Sequence, residues 1–312
     1  MSKKILVTGA AGYIGSMLCT ELINQGFNVI AVDLLKYEKN SLSHLFFFKN
    51  FKFIKADISK PKVIKKILKG CDFIIPLAAL VGAPLCEKFK KEARKINVFA
   101  ISLILNHAKL NQKIIYPTTN SGYGIGEKNK YCDEKSPLNP ISLYGVTKAE
   151  AESLVMNHGN SICFRLATVF GFSYRMRTDL LVNHFVEKAV KKNKIEIFEP
   201  KFRRNYIHVR DVVSAVIFSI KNFNKLKNNI YNLGLSTGNV TKLSLAKKIK
   251  KNYTKLKIKI IYNKKDPDQR DYFVSNKKIE KAGFKPMISL DAGINEMLQL
   301  FKNAKINFKN NY

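Results

Sequence analysis

The chain has 312 residues, 46% of them hydrophobic, with 55 Lys+Arg against 23 Asp+Glu and a formal net charge of +32. That length can bury one large core or two small ones, and no apolar run is long enough to span a bilayer. The five cysteines, Cys19, Cys71, Cys86, Cys132 and Cys163, are scattered and form no Cys-x-x-Cys pair, so neither a disulfide framework nor a protein-held metal is expected.

The charge is mostly lysine, because only eight of the basic residues are arginines. Lysines recur through the second half instead of forming one arm or stripe, and no nucleic-acid reading motif is present. A lysine-rich solvated surface is the expected reading, with no specific nucleic-acid partner. Such a surface still attracts anionic substrates. The first residues lead directly into a strand and leave no room for a signal peptide, so a cytoplasmic protein without membrane insertion is expected.

Residues 3–8 predict a first strand, and a glycine-bearing turn feeds a helix over 14–25. Strands follow at 28–33, 52–57 and 72–77, with a helix at 61–69 before the last of them. One long helix is expected over 87–110, then a strand over 113–118. A helix over 142–157 leads to a strand at 161–166. Short apolar strands alternating with helices imply a parallel sheet covered on both faces. Beyond about Gly171 the rhythm breaks. Short strands near 195–198, 205–209 and 257–261 mix with helices near 180–192, 211–220 and 243–251. The expected class is α/β, a Rossmann-type parallel sheet with a smaller, interleaved C-terminal lobe. Residues 1–171, joined by later elements near 205–235, would bind a nucleotide; 172–204 and 236–312 would form the substrate-binding lobe.

Two local patterns carry chemistry. In Thr8-Gly-Ala-Ala-Gly-Tyr-Ile-Gly15, three glycines sit between a strand and a helix. Gly9 permits the tight turn, Gly12 lets backbone approach a pyrophosphate, and Gly15 permits close helix–strand packing. Tyr13 and Ile14 open the helix whose N–H groups face the anion. Asp33, eighteen residues past Gly15, ends the second strand. Its carboxylate suits a ribose diol and repels a 2′-phosphate, which favours NAD over NADP. Asp57 and Ile58 can reach the adenine edge. Downstream, Tyr144 and Lys148 stand four apart on one helix face. An ammonium beside a phenol lowers the phenol's pKa, leaving it able to exchange a proton near neutral pH.

These ordered motifs resemble the extended short-chain dehydrogenase/reductases, above all the nucleotide-sugar epimerases and dehydratases, over nearly the whole chain. The resemblance implies that Leu77, Ala78 and Ala79 pack against NAD and that Asn97 is the helix asparagine of the family. It implies a catalytic pair in Tyr144 and Lys148, with Thr119 holding the sugar oxygen whose proton Tyr144 handles. Thr118 or Ser121 takes that place if the strand ends early. Dehydratases of the family carry an Asp-Glu pair after this threonine, whereas Asn120 and Ser121 stand here and neither is a competent acid or base. Dehydration is therefore not expected.

The resemblance also implies a substrate carrying a diphosphate, linked to GDP, UDP or dTDP. Arg204, in Arg204-Asn-Tyr-Ile-His-Val-Arg-Asp211, and Arg270 are the expected diphosphate cations, with Asn183 a further candidate. Arg175 and Arg177 would border the sugar pocket, beside Asn120 and Ser121. Some positions depart from the family: Asp179-Leu180 replaces an asparagine-leucine pair, Pro76 a histidine, and Val81 stands near a lysine position of galactose epimerases. The 118–124 stretch also resembles capsule-sugar enzymes, among them enzymes acting at C4 of GDP-linked manno-heptose. The expected activity is NAD-dependent oxidation at C4 of a nucleotide-sugar, foremost as a 4-epimerase. A net 4-dehydrogenase and a noncatalytic NAD-binding regulatory protein are the alternatives. Relatives dimerise through a four-helix bundle, for which Phe99, Ile101, Leu105, Ala149 and Leu154 could supply contacts; burial within the monomer competes for them.

Overall fold

Seven short runs rich in Ile, Val and Phe pair as one parallel sheet in a computed structural model that describes residues 2–127, 130–262, 270–304 and 308. The strands are β1 (Lys4–Thr8), β2 (Asn28–Asp33), β3 (Phe51–Lys55), β4 (Phe73–Pro76), β5 (Lys113–Thr119), β6 (Ser161–Leu166) and β7 (Asn229–Leu233). Their order is β7-β6-β5-β4-β1-β2-β3, with every neighbouring pair parallel. Strands β4 and β6 are buried at every residue, as a sheet covered on both faces requires.

Alternation along each strand sends side chains to the two faces. Ile5, Val7, Phe73, Ile75 and Phe164 pack on one side under α1 (Tyr13–Asn24) and a later helix, Val209–Lys221. Leu6, Ile74, Ile114, Tyr116 and Cys163 pack on the other, under α2 (Pro61–Ile67), α3 (Ala100–His107) and α4 (Leu143–His158). The order reverses at β1, which lies between β4 and β2. A crevice opens outside the carboxyl ends of strands at such a switch point. Thr8, Asp33, Pro76 and Thr119 end the strands that border it.

A second hydrophobic cluster gathers α5 (Leu181–Lys192), α6 (Lys242–Asn252) and α7 (Leu290–Asn303) around Val186, Leu245, Ile294 and Phe301. Strand Lys194–Phe198 pairs with Lys257–Ile261 beside them. The two clusters meet at Tyr13, whose ring packs into the second while its backbone starts α1.

Two expected elements differ. The single helix over 87–110 is four pieces: Ala83–Lys88, Lys90–Arg94, a π-turn at Lys95–Phe99, and α3. Phe89, at φ −125° and ψ 59°, interrupts the first two. The π-turn contains Asn97, whose buried side chain is committed to the neighbouring loop. The third strand stops at Lys55, because the Asp57 carboxylate accepts Ser59 N–H at 2.8 Å and turns the chain out of the sheet. Of the apolar residues offered for a dimer, Ile101 and Leu105 are spent inside the core. Phe99 remains exposed and lines a shallow groove with Leu154.

The glycine turn is tight enough to test. A Cβ on Gly15 would stand 2.2 Å from Gly9 O and 2.8 Å from Ala10 Cα, both backbone atoms. Gly15→Ala should destabilise by about 1–3 kcal/mol, as overpacking does. It should lower the urea midpoint, and an unchanged midpoint would mean that α1 and the turn separate freely.

Candidate active site

The crevice is a cleft of about 560 Å³ running from β2 to the second lobe. That is within the range of small-molecule sites. At one end Gly9, Gly12, Tyr13, Ile14 and Gly15 line it, with Asp33, Asp57, Ile58, Leu77, Ala78 and Ala79. Gly9 has φ +68°, and a Cβ there would lie 2.6 Å from Ala78 N. Helix α1 starts at Gly12 with no side-chain cap, so its N-terminal donors face the cleft undiverted. The Asp33 carboxylate accepts Ala11 N–H at 3.0 Å and Leu35 N–H at 2.7 Å. Burial raises its pKa, opposed by those N–H groups and by Arg175. An uncapped helix start, a close-packed glycine cradle and an acceptor at the end of β2 fit a dinucleotide such as NAD.

At the other end α4 carries Tyr144 and Lys148. Ser142 Oγ caps the helix by accepting Gly145 N–H at 3.2 Å, which starts the helix immediately before Tyr144. Lys148 is buried, and its ammonium donates to Tyr116 Oη at 2.6 Å and to Pro117 O at 2.8 Å. Burial drives Lys148 down to about 7. The Tyr144 phenol is pushed up to about 12, by burial first and by the neighbouring Cys86 second. Arg270, Arg177 and a hydrogen bond with Thr119 oppose that rise. The expectation that Lys148 lowers the phenol's pKa therefore fails in this arrangement. Two of the ammonium's donors are turned to Tyr116 and Pro117, and enclosure favours the neutral form of both partners.

Of the two neighbouring threonines, Thr119 is the one that hydrogen-bonds Tyr144. Thr118 Oγ1 turns away to Lys148 O at 3.4 Å, while Thr119 meets the tyrosine. Thr119 Oγ1 also lies 2.9 Å from Ser121 Oγ, and Ser121 Oγ is bonded to the Arg270 guanidinium. Tyr144, Thr119, Ser121 and Arg270 thus form one polar row. Arg204 and Arg177 line the same end; Arg204 is buried and Arg177 pairs with Asp179.

Four predicted residues fall elsewhere. Asn97 is consumed by structure: its Oδ1 accepts Leu80 N–H at 2.8 Å, and Nδ2 donates to Leu80 O and Thr147 Oγ1. It braces the loop of the cleft wall and does not line the cleft. Asn183 is similarly occupied, accepting Gly171 N–H and donating to Arg177 O and Tyr13 Oη. Asn120 is buried behind the cleft wall, with neither end of its amide partnered among the described residues. Arg175 sits over Tyr37 at the Asp33 end, away from the place expected beside the sugar. Tyr116 is a site residue that the sequence does not single out. Its only signal is a tyrosine in the strand that also ends in Thr119.

The depressed lysine gives a signed prediction. Lys148 moves from 10.5 to about 7 on folding, so between those values the unfolded chain binds the extra proton. Its destabilising contribution is full below about pH 7 and is relieved as pH rises toward 10.5. In buffer without nucleotide, the urea midpoint of the wild type should climb relative to Lys148→Met across that window. Parallel midpoints would mean that Lys148 stays charged.

Comparison with known proteins agrees with this geometry. The family model for the NAD dependent epimerase/dehydratase family matches residues 5–234. UDP-glucuronic acid decarboxylase 1 of Arabidopsis thaliana is 30% identical over 319 aligned residues, covering 97% of this chain and 71% of that protein. The dTDP-D-glucose 4,6-dehydratase of Homo sapiens is 26% identical over 99% of this chain and 93% of its own. Among solved structures, UDP-glucose 4-epimerase of Thermotoga maritima with UDP-glucose superposes with a TM-score of 0.84 at 24% identity, covering 96% of this chain and 98% of that one. The chain belongs to the NAD-dependent epimerase/dehydratase family of nucleotide-sugar enzymes, and its cofactor is NAD.

Proposed function

We propose that this enzyme oxidises C4 of a nucleotide-diphosphate sugar and returns the hydride to the opposite face, as a 4-epimerase. The observation that carries the reading is the row Tyr144–Thr119–Ser121–Arg270 beside Lys148, at the far end of the cleft from the dinucleotide cradle. When bound, NAD supplies the hydride acceptor. Tyr144 takes the proton of the sugar's O4, and Thr119 holds that oxygen through its hydroxyl. Lys148, with one N–H left for the cleft, stabilises the phenolate. Anionic groups drawn into the cleft favour its ammonium form and so bring the pair toward the reactive state. Arg204, Arg177 and Arg270 offer cations for the sugar diphosphate.

Elimination of water is disfavoured by the two residues after Thr119. Asn120 is buried out of the cleft, and Ser121 is tied to Thr119 and Arg270. Neither supplies an acid–base pair. A second reading is net oxidation to the 4-keto sugar, released before the hydride returns.

Incubating GDP-, UDP- and dTDP-sugars in deuterated water and weighing the products separates these outcomes. An unchanged mass with inverted C4 supports the epimerase. A sugar lighter by two hydrogens, with reduced nicotinamide accumulating, supports the dehydrogenase. Loss of water refutes both. Tyr144→Phe should cut turnover on the order of 10²–10⁴-fold while dinucleotide affinity holds; undiminished turnover removes Tyr144 from the chemistry.

A further inference from the structure

Residues 171–177 follow the short strand Thr168–Phe170 and cross from the smaller lobe onto the dinucleotide end of the cleft. Four contacts pin the crossing. Tyr13 Oη donates to Gly171 O at 2.6 Å. Ser173 Oγ donates to Tyr13 O at 2.6 Å and lies 3.1 Å from Ser16 Oγ. The Tyr174 ring packs on His44 with centroids 4.2 Å apart. Tyr13 and Ser16 belong to α1, and His44 to the connection after β2. Those elements frame the phosphates and the adenosine ribose of a dinucleotide in this fold.

Arg175 rides on this crossing. It is 3% exposed, and its backbone N–H donates to Ser173 Oγ at 3.2 Å. The guanidinium carbon stands 5.1 Å from the Tyr37 ring centroid, and Nη1 reaches Met176 O at 3.5 Å. Nη2 is buried with no hydrogen-bond partner among the described residues. Asp33, Glu38, Arg177 and Asp179 are the charged groups around it. The Asp33 carboxylate is already engaged by two backbone N–H groups, and Asp179 by Arg177. A cation withdrawn from water with a donor unmet is costly unless an anion reaches it. The cleft wall that Arg175 joins includes Gly12 and Tyr13, at the helix start suited to phosphate.

We propose that Arg175 binds the diphosphate of the dinucleotide from across the cleft, opposite the N-terminus of α1. The anion is then gripped by N–H groups of the sheet domain on one side and by a guanidinium of the smaller lobe on the other. The planar fork of arginine matches paired phosphate oxygens. Arg175 is accordingly a cofactor residue, and Arg177, two residues on, faces the tyrosine and the substrate end.

Titration calorimetry on protein freed of bound nucleotide tests this with ADP-ribose and, as a probe without phosphate, adenosine. Arg175→Met should weaken ADP-ribose about tenfold or more, the scale of one lost charge-assisted contact, and leave adenosine binding unchanged. It should also flatten the salt dependence of ADP-ribose binding, with Arg175→Lys falling between. A thermal melt checks that the variants fold. Should the methionine variant not fold, Arg175→Lys decides, because losing the fork must still weaken ADP-ribose and spare adenosine. Equal losses for both probes would assign Arg175 to packing on Tyr37. Unchanged ADP-ribose affinity, with or without weakened nucleotide-sugar binding, would also overturn the proposal.

Discussion

One buried lysine organises the end of the cleft that holds Tyr144. In its ammonium form Lys148 has three N–H donors, and the carboxyl end of β5 fixes two of them through Tyr116 Oη and Pro117 O. That leaves one direction, toward the cleft. The same helix is held at a second point: Glu152, one turn beyond Lys148, meets Arg165 on β6 at 2.7 Å, both 5% exposed. Arg165 in turn donates to Tyr123 Oη at 3.0 Å, just past the turn that carries Ser121. A buried ion pair is a weak source of net stability, but removing one partner is severe. Its use here is positional. It sets the register of α4 against the sheet, and with it the place of Tyr144.

Charge is divided between two residue types with different tasks. Four of the eight arginines, Arg175, Arg177, Arg204 and Arg270, line the one cleft. Arg165 serves the buried ion pair behind it. The lysines mostly stand on solvated faces; among cleft residues, Lys36 is exposed and paired with Glu92, while Lys148 is buried. The net charge of +32 therefore says little about specificity. Fixed forks that match phosphate oxygens line this cleft, and the diffuse lysine charge adds only long-range attraction.

Local features of the site are legible in the sequence, and tertiary ones are not. The glycine turn, Asp33 and the Tyr144–Lys148 spacing declare themselves because strand, turn and helix geometry fixes neighbours within a few residues. Tyr116 stays hidden because its role exists only once β5 lies under α4, thirty-two residues later in the chain. Asn97 and Asn183 look like ligand groups in the sequence, yet each satisfies backbone of a distant segment, Leu80 in one case and Gly171 in the other. Apolar periodicity suggests one helix over 87–110, but it cannot register a π-turn that brings Asn97 to Leu80. In the second half, α7 (Leu290–Asn303) and strand β7 escape the sequence reading. Asn229, Tyr231 and Asn232 make β7 look polar, although its inner residues are buried in the sheet edge. Arg175 and Arg177 remain within electrostatic reach of each other, yet the crossing segment sets Arg175 to act on Asp33 and Arg177 on Tyr144.

The elevated phenol and the depressed lysine are two sides of one energetic arrangement. Enclosure favours a neutral tyrosine and a neutral lysine, whereas proton removal at a sugar hydroxyl needs phenolate beside ammonium. Converting one form to the other requires negative charge near Lys148 and positive charge near Tyr144. The cleft provides the second through Arg270 and Arg177, the main influences lowering the phenol. Glu152 contributes part of the first, and under the proposed function the diphosphates would bring the rest. Under the proposed function, such a cleft would hold Tyr144 neutral until anions occupy it, tying proton transfer to the arrival of both partners.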